Sequence, residues 1–478
     1  MPHSRANSRA GSHATPHMSG VHIADSNAAF FRQLLTVALP VALQVVLFSS
    51  RSLVDIVMLG QLGEADVAAI GVAGRAIFVT TLLVLGVCTG GSMLLAQYWG
   101  AGDRDGMKRA TALTLIITSV VGLAGSAVFL FIPEWVMGLA SNSAEVVALG
   151  ASFMEITAGN ILLTAIGATF AAGLRSMHQA ATSTLFSAIG ISLNIFFNYI
   201  LIFGRFGFPA MGIVGAAWGT LLSALIEVAA LTAWLYWRRH LLAIRWQDVL
   251  ASLNRSEVVR LLKLAIPLIA NMVIWAGGVF LYNAIFGHIS TQALAALTVM
   301  APLESLCLAM LNGIATGAAV VIGNQLGASR FDLAYRQAWL ATAFCVASAV
   351  VVAVVMLLIK QPVLALFSGL KGPTLDLASS FYIMLSVAVL LKSVPMLMII
   401  GVLRAGGDIK FCFYQDVIAQ WFIGIPLVAF LAFYTDVGLQ WVYLAIFTEE
   451  VVKIIGCFFR VRSRAWMKNM VHTPAVAN

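Results

Sequence analysis

The chain has 478 residues, of which 61% are hydrophobic and only 10% are charged. Soluble domains carry roughly 25% charged residues, so this composition excludes a soluble globular protein and indicates one that lies in a lipid bilayer. The formal charge of +8 falls mainly in short loops between long apolar runs, so it predicts membrane orientation rather than nucleic-acid binding.

The first 27 residues are polar and lack the apolar core of a signal peptide, so we expect a disordered cytoplasmic tail. Beyond them, apolar runs bounded by charged residues, Gly and Pro predict an all-α membrane protein with twelve transmembrane helices. The predicted spans are 31–60, 67–98, 110–132, 147–173, 180–203, 211–237, 259–287, 292–326, 337–359, 375–403, 411–434 and 439–459.

Lys and Arg residues lie mostly in the loops on one side of the predicted membrane. If the N-terminus is cytoplasmic, the outside loops hold only Arg205, Lys360 and Lys371. Because cytoplasmic loops are enriched in Lys and Arg, we expect a multi-pass protein of the cell inner membrane with both termini in the cytoplasm.

The longest internal connection, residues 238–258, is basic at both ends and contains Trp246. Leu242, Val249 and Leu253 share one face if the segment is helical, so we predict an interfacial helix on the inner leaflet. The resulting division is a tail at 1–27, an N-lobe of six spans at 28–240, a linker at 241–256, a C-lobe of six spans at 257–463 and a cytoplasmic tail at 464–478.

The two halves of the chain repeat at an offset of 227 residues, which relates Pro40 to Pro267 and Gly86 to Gly313. Further coincidences at this offset are Gly60 with Gly287, Ala68-Ala69 with Ala295-Ala296, Thr89-Gly90 with Thr316-Gly317, and Gly100-Ala101 with Gly327-Ala328. Six spans separate equivalent positions, so the two lobes run in the same direction and are related by an axis along the membrane normal. Alternating-access transporters with this symmetry bind substrate between their lobes.

Asp55 lies inside the first predicted span, where an ionised carboxylate is costly and therefore indicates function. Asn194 and Asn198 share one helix face, and Thr220 lies in the next span. Together these side chains can bind Na⁺ through oxygen atoms or form hydrogen bonds to a carboxyl group. The alternative interpretation is that the two Asn residues only hold helices together.

Arg51 precedes Asp55 by one helical turn and can contact it. Burial favours a neutral, proton-carrying Asp55, whereas a contacting guanidinium favours the ionised form. The sequence leaves open whether Arg51 modulates Asp55 or forms a permanent pair with it.

Several motifs recur along the chain in a definite order. They are LVDIVMLGQLG (53–63), GGSMLLAQYWGAGD (90–103), LRSMHQA (174–180), LNIFFNYILIFGRFGFPAMGIVGAAWGT (193–220), GNQLGASR (323–330) and LRAGGD (403–408). In this order and spacing, the motifs resemble those of the multidrug and toxic compound extrusion (MATE) family.

The resemblance implies a twelve-helix, two-lobed antiporter that exports amphipathic, mostly cationic compounds. It also implies that Asp55 carries the coupling ion beside Asn194, Asn198 and Thr220. Asn198 stands where some proton-coupled members of the family have a second aspartate. With a single carboxylate in the predicted site, we expect H⁺ rather than Na⁺ as the coupling ion, with Na⁺ at Asp55 as the alternative.

Other family members, the NorM type, carry carboxylates in their seventh and tenth helices, where this sequence has Trp275 and Ser393. We expect Glu304 and Lys392 to form a buried pair that removes the need for a C-lobe cation. Glu155 and Glu227 are candidates for contacting a cationic substrate. The predicted C-lobe cavity residues are Trp275, Tyr282, Glu304, Lys392 and Ser393.

Other classes of function are less well supported by the sequence. A flippase of a lipid-linked precursor needs cavity cations for pyrophosphate, and only Arg51, Arg75, Lys392 and Lys453 lie inside spans. The sequence also leaves open that the protein exports an anionic metabolite such as a flavin. Nucleotide-binding and hydrolase motifs are absent, and all five cysteines lie in apolar spans, so we expect no enzyme, cofactor, zinc site or disulfide. We expect a monomer.

Overall fold

The computed structural model describes residues 26–365 and 372–471, and all regular secondary structure within these ranges is helical. The predicted N-terminal tail lies outside the described residues, apart from Ser26 and Asn27. The N-terminal half contains α1 (Asn27–Leu59), α2 (Glu64–Ala101), α3 (Arg104–Phe131), α4 (Pro133–Gly138), α5 (Ala144–Ser176), α6 (Ala180–Phe203), α7 (Gly212–Trp237) and α8 (Trp246–Ser252). The C-terminal half contains α9 (Arg255–Ile289), α10 (Thr291–Gly327), α11 (Phe331–Leu358), α12 (Lys360–Ala365), α13 (Pro373–Met396), α14 (Ile409–Val417), α15 (Ile425–Tyr434), α16 (Leu439–Ala445) and α17 (Thr448–Arg462).

Eleven described helical segments are long and apolar enough to cross a membrane, and their ends lie within six residues of the predicted spans. The predicted twelfth span, 439–459, is divided at residues 446–447 into α16 and α17. This break places Glu449 and Glu450 in the first turn of α17, where the positive end of the helix dipole favours carboxylates.

Two of the spans contain π-helical turns. One, Leu397–Leu403, follows Pro395 and α13, and the other, Ile418–Gly424, joins α14 to α15. Proline lacks the N–H that continues an α-helical ladder, which accounts for the first departure from α geometry. Such turns are frequent at functional sites, and the second begins two residues after Asp416.

Each half of the chain has an apolar core, and a helix of the other half joins it. The largest buried cluster lies mostly in the C-terminal half, where the rings of Phe381 and Tyr443 stack with centroids 4.2 Å apart, but it also includes Phe30 of α1. A second cluster surrounds Leu94 in the N-terminal half and includes Leu261 of α9, and a third lies within the N-terminal half. The two lobes therefore have distinct cores that share helices at their boundary.

Three of the four glycine pairs that repeat at an offset of 227 lie where helices of the two lobes cross. A side-chain carbon added to Gly90 of α2 would stand 3.2 Å from the backbone nitrogen of Ala265 in α9. The same addition to the equivalent Gly317 of α10 would stand 2.8 Å from the carbonyl oxygen of Leu34 in α1. Only glycine permits backbones to approach this closely, which explains why the repeat is strongest at glycine.

A second symmetric crossing joins α2 to α10. Gly100 lies against the backbone of Asn324, and the equivalent Gly327 lies against the backbone of Gln97. At the other end of α2, the space beside Gly71 is open. The lobes therefore contact each other closely at one end of the molecule, where α2 and α10 end.

The linker between the lobes differs from the predicted interfacial helix. Between α7 and α9 only Trp246–Ser252 is helical, so the predicted apolar face does not form. Leu242 lies before this helix and is buried against Gly173, whereas Leu253 follows it and is 53% exposed. The prediction was wrong in extent because Leu242 finds its apolar environment in the N-lobe core rather than at a membrane surface.

The described part of the predicted C-terminal tail, residues 464–471, is packed rather than free. Trp466 has no exposed surface and lies against Gly406. The Gln97 side chain donates to the carbonyl oxygen of Lys468 at 3.0 Å and accepts from the backbone N–H of Met470 at 2.6 Å. The segment thus joins the C-lobe to α2 of the N-lobe.

Candidate functional site

Polar side chains follow a common spacing on the three helices that meet in the N-lobe. Gln44, Arg51 and Asp55 of α1 are separated by seven and four residues, and Ser187, Asn194 and Asn198 of α6 repeat these separations. Thr220 and Glu227 of α7 are seven apart. Because seven residues make about two helical turns, each helix presents its polar groups on one face.

The first group, which we call the Asp55 layer, consists of Arg51, Asp55, Asn194, Asn198 and Thr220. The Asn198 amide donates a 2.8 Å hydrogen bond to Oδ1 of Asp55 and a 3.4 Å bond to Oδ1 of Asn194. The Asn194 amide in turn donates to Oγ1 of Thr220 at 3.3 Å. The structure therefore brings all four predicted ion-site residues into one connected network.

Arg51 completes the Asp55 layer. Its Nε lies 3.6 Å from Oδ2 of Asp55, and about a quarter of each side chain is exposed. Asp55 thus has an amide donor on one carboxylate oxygen and a guanidinium beside the other. A proton or another cation that binds Asp55 competes directly with Arg51.

One acceptor of the Asp55 layer is unused. Oδ1 of Asn198 is buried, makes no hydrogen bond and lies against Gly219 of α7. A side chain at position 219 would displace this amide, so the glycine sets the approach of α7 to α6. The described residues contain no group of three or more His, Cys, Asp or Glu side chains with metal-site geometry.

The second group, which we call the Glu227 layer, consists of Gln44, Ser187 and Glu227. The Ser187 hydroxyl donates to Oε1 of Glu227 at 2.9 Å, and the Gln44 amide donates to the Ser187 oxygen at 3.0 Å. Sequence reasoning placed Glu227 beside a cationic substrate and did not identify its partners. The shared seven-residue spacing of α1, α6 and α7 is the signal that identifies them.

The C-lobe contains the predicted contact between Glu304 of α10 and Lys392 of α13. The Lys392 amine donates to Oε1 of Glu304 and also lies 5.4 Å from the centre of the Phe447 ring. Each charged side chain is mostly buried, so the two ions neutralise one another within the lobe.

A larger ionic network surrounds Lys453 of α17, and sequence reasoning did not identify Asp416 as a member of it. Its amine lies 3.2 Å from Oε1 of Glu449 and 3.8 Å from Oδ1 of Asp416. Asp416 also accepts from the Asn271 amide at 2.8 Å, and Asn271 accepts from Arg404 at 3.0 Å. The available signal was an aspartate inside the predicted span 411–434.

The remaining predicted cavity residues occupy different environments. Trp275 is 46% exposed, whereas Tyr282 is buried and donates a 2.9 Å hydrogen bond to Oε2 of Glu449. Ser393 has no exposed surface, and its hydroxyl donates to the carbonyl oxygen of Leu390 in its own helix. Tyr282 and Ser393 are therefore buried in the C-lobe interior, where their polar groups form hydrogen bonds within the lobe.

Comparison with known proteins places this architecture in a family. The family model described as MatE matches residues 40–200 and 267–430, two segments that start 227 residues apart. Relatives include the "Uncharacterized transporter YisQ" of Bacillus subtilis, 25% identical over 91% of this chain and 95% of that protein. The "Probable multidrug resistance protein NorM" of Bradyrhizobium diazoefficiens is 26% identical over 95% of this chain and 97% of that protein.

Solved structures share the fold. One is described as the "Outward-facing conformation of a multidrug resistance MATE family transporter of the MOP superfamily", with a TM-score of 0.83, 20% identity and coverage of 93% of this chain and 97% of that chain. This likeness confirms the predicted all-α fold of twelve transmembrane helices in two six-helix lobes. With the family model covering most of both lobes, the chain belongs to the MATE family of membrane transporters, a family that is not one of enzymes.

Proposed function

We propose that this chain is a secondary active exporter of amphipathic cations that takes up H⁺ in exchange by alternating access. The observation that carries the proposal is the Asp55 layer, in which an intramembrane carboxylate is held by Asn198 on one side and by Arg51 on the other. Relatives named multidrug resistance proteins support the substrate class. An ionisable group in a membrane helix marks an ion pathway by default.

The geometry of Arg51 favours H⁺ over Na⁺. Sodium needs several oxygen ligands around a positive centre, and the guanidinium 3.6 Å from Asp55 repels such a centre. A proton needs only one carboxylate oxygen, and its binding weakens the attraction of Asp55 for Arg51. Protonation can therefore change the contacts of α1 without a cage of ligands.

Alternating access is supported by how the lobes meet. The glycine crossings of α1 with α10 and of α2 with α9 and α10 give rigid contacts at one end of the molecule. Such contacts can separate as a unit when the lobes rock about the site between them. Protonation of Asp55 then biases one of two packed arrangements.

A flippase is disfavoured by the positions of the candidate cations. Lys392 and Lys453 each contact a carboxylate within the C-lobe, and Arg51 contacts Asp55. Arg75 is exposed on α2. These pairings leave little positive charge to bind a pyrophosphate.

Transport into inverted membrane vesicles tests the proposed exchange. With an imposed pH gradient and no Na⁺, we expect accumulation of the cationic dye ethidium and none of flavin mononucleotide. An imposed Na⁺ gradient at equal pH is expected to drive no accumulation. Sodium-driven uptake of ethidium would reverse the assignment of the ion, and uptake of the flavin alone would reverse the assignment of the substrate.

We propose that the protein lies in the cell inner membrane with both of its termini in the cytoplasm. A variant with its five native cysteines replaced receives single cysteines at Gly20 and Gly372. We expect a membrane-impermeant maleimide to label these two positions from opposite sides, because the charge bias and an odd number of crossings separate them. Labelling from one side would refute the orientation.

A further inference from the structure

The Asp55 and Glu227 layers lie at different depths along the same three helices. Gln44 precedes Arg51 by seven residues in α1, and Thr220 precedes Glu227 by seven residues in α7. Seven residues at 1.5 Å each correspond to about 10 Å. Since α1 and α6 run opposite to α7, Glu227 lies about 10 Å further toward the chain termini than the Asp55 network.

Glu227 is held in place but forms no ion pair with a described Lys or Arg residue. Its Oε1 accepts from Ser187, and its carboxylate lies against Gly190 of α6. Within α1, α6 and α7, the cation closest in depth to Glu227 is Arg51, which lies seven residues after Gln44 of the same layer and acts on Glu227 at longer range. The faces of α5 and α7 that meet nearby are apolar, with Gly159 against Leu221 and Gly167 against Val228.

Arg51 therefore stands between two carboxylates, in contact with Asp55 and at longer range from Glu227. With both carboxylates ionised, the three groups carry one net negative charge, and one bound proton brings the sum to zero. A guanidinium inside a membrane helix bundle needs a counterion in every state, because an unpaired buried charge is strongly unfavourable.

We infer that Glu227 is the alternate counterion of Arg51. When Asp55 binds a proton, the guanidinium of Arg51 pairs with Glu227 instead. This inference rests on the proposed role of Asp55 and adds a positioning residue to it. Protonation converts the Asp55 carboxylate to a neutral carboxyl, so the attraction that holds Arg51 is lost. The Arg51 side chain then moves along α1 toward the level of Gln44. There Glu227 is still ionised, and Ser187 holds the Glu227 carboxylate in place.

Release of the proton reverses the exchange. Asp55 returns its proton to water, becomes ionised and recovers Arg51, so no proton passes to Glu227. By offering the guanidinium a second partner, Glu227 raises the proton affinity of Asp55. Without Glu227, protonation of Asp55 would leave Arg51 unpaired.

The test is the pH dependence of ethidium transport by the full chain in proteoliposomes. We expect Glu227→Gln to shift the midpoint of transport to lower pH by about one unit, a tenfold loss of proton affinity. Glu227→Asp, which keeps the charge, should stay within a few tenths of a unit of the wild type. Ser187→Ala, which keeps both carboxylates but removes the hydrogen bond to Glu227, should give a smaller shift in the same direction.

A double-mutant cycle separates this role from a structural one. In an Arg51→Ala background, Glu227→Gln should lose most of its effect on the midpoint, because the guanidinium carries the coupling. Equal midpoints for wild type and Glu227→Gln would overturn the inference, and so would an equal shift with and without Arg51. Ethidium binding in detergent, measured across pH, gives the same comparison for any variant that binds dye but transports poorly.

The two proposals fail in different ways. If the wild type transports independently of the pH gradient, the proposed proton coupling is wrong. If the wild type is proton-driven and Asp55→Asn is inactive, yet Glu227→Gln has an unchanged profile, only the role of Glu227 is refuted.

Discussion

Replacing Asp55 by Asn is expected to reduce ethidium efflux driven by a proton gradient to the background of empty liposomes. The amide imitates the protonated carboxyl and keeps an oxygen for the Asn198 donor, but it cannot release a proton or pair with Arg51. Ethidium binding in detergent should stay within about threefold of the wild type, less than 1 kcal/mol, because the fold and apolar contacts are unchanged.

A control for Asp55→Asn is Glu145→Gln. Glu145 is also a carboxylate of a membrane helix, but it lies exposed in the first turn of α5. We expect this variant to transport at the wild-type rate. Efflux by Asp55→Asn that retains its rate and its response to pH would refute the carrier role.

Replacing Lys453 by Met is expected to lower the free energy of unfolding by about 3–5 kcal/mol, the usual effect of removing one member of a buried ion pair. The amine contacts Glu449 and Asp416, and both carboxylates are mostly enclosed by the C-lobe. The change would leave them without their shared cation. Thermal unfolding in detergent micelles measures the loss.

Two further variants check the cause of that loss. Lys453→Arg keeps the charge and should retain most of the stability. Adding Glu449→Gln to Lys453→Met removes one of the stranded charges and should recover part of it. A Lys453→Met protein as stable as the wild type would show that water or protonation of the carboxylates replaces the lysine.

The environment, the number of spans and the twofold repeat of this protein follow from the sequence alone. Apolar runs indicate membrane spans directly, because each crossing needs roughly 20 apolar residues regardless of which helices pack beside it. The offset of 227 between Gly90 and Gly317 is likewise visible without coordinates. Periodicity also placed Asn194 and Asn198 on one face, and the structure connects them to Asp55.

The partners of individual polar groups were decided only by tertiary structure. Asp416 contacts Lys453, and Tyr282 contacts Glu449, across separations along the chain that helical periodicity cannot relate. A helical repeat determines which face a side chain occupies, but the neighbour that faces it depends on how the helices pack.

Tertiary packing also decided where local patterns did not hold. The last predicted span is interrupted before Glu449, so that its carboxylates lie at a helix N-terminus near Lys453. Leu242 of the linker entered the N-lobe core instead of an interfacial helix. In both places the free energy of contacts between distant segments outweighed the helical preference of the local sequence, which is small for each residue.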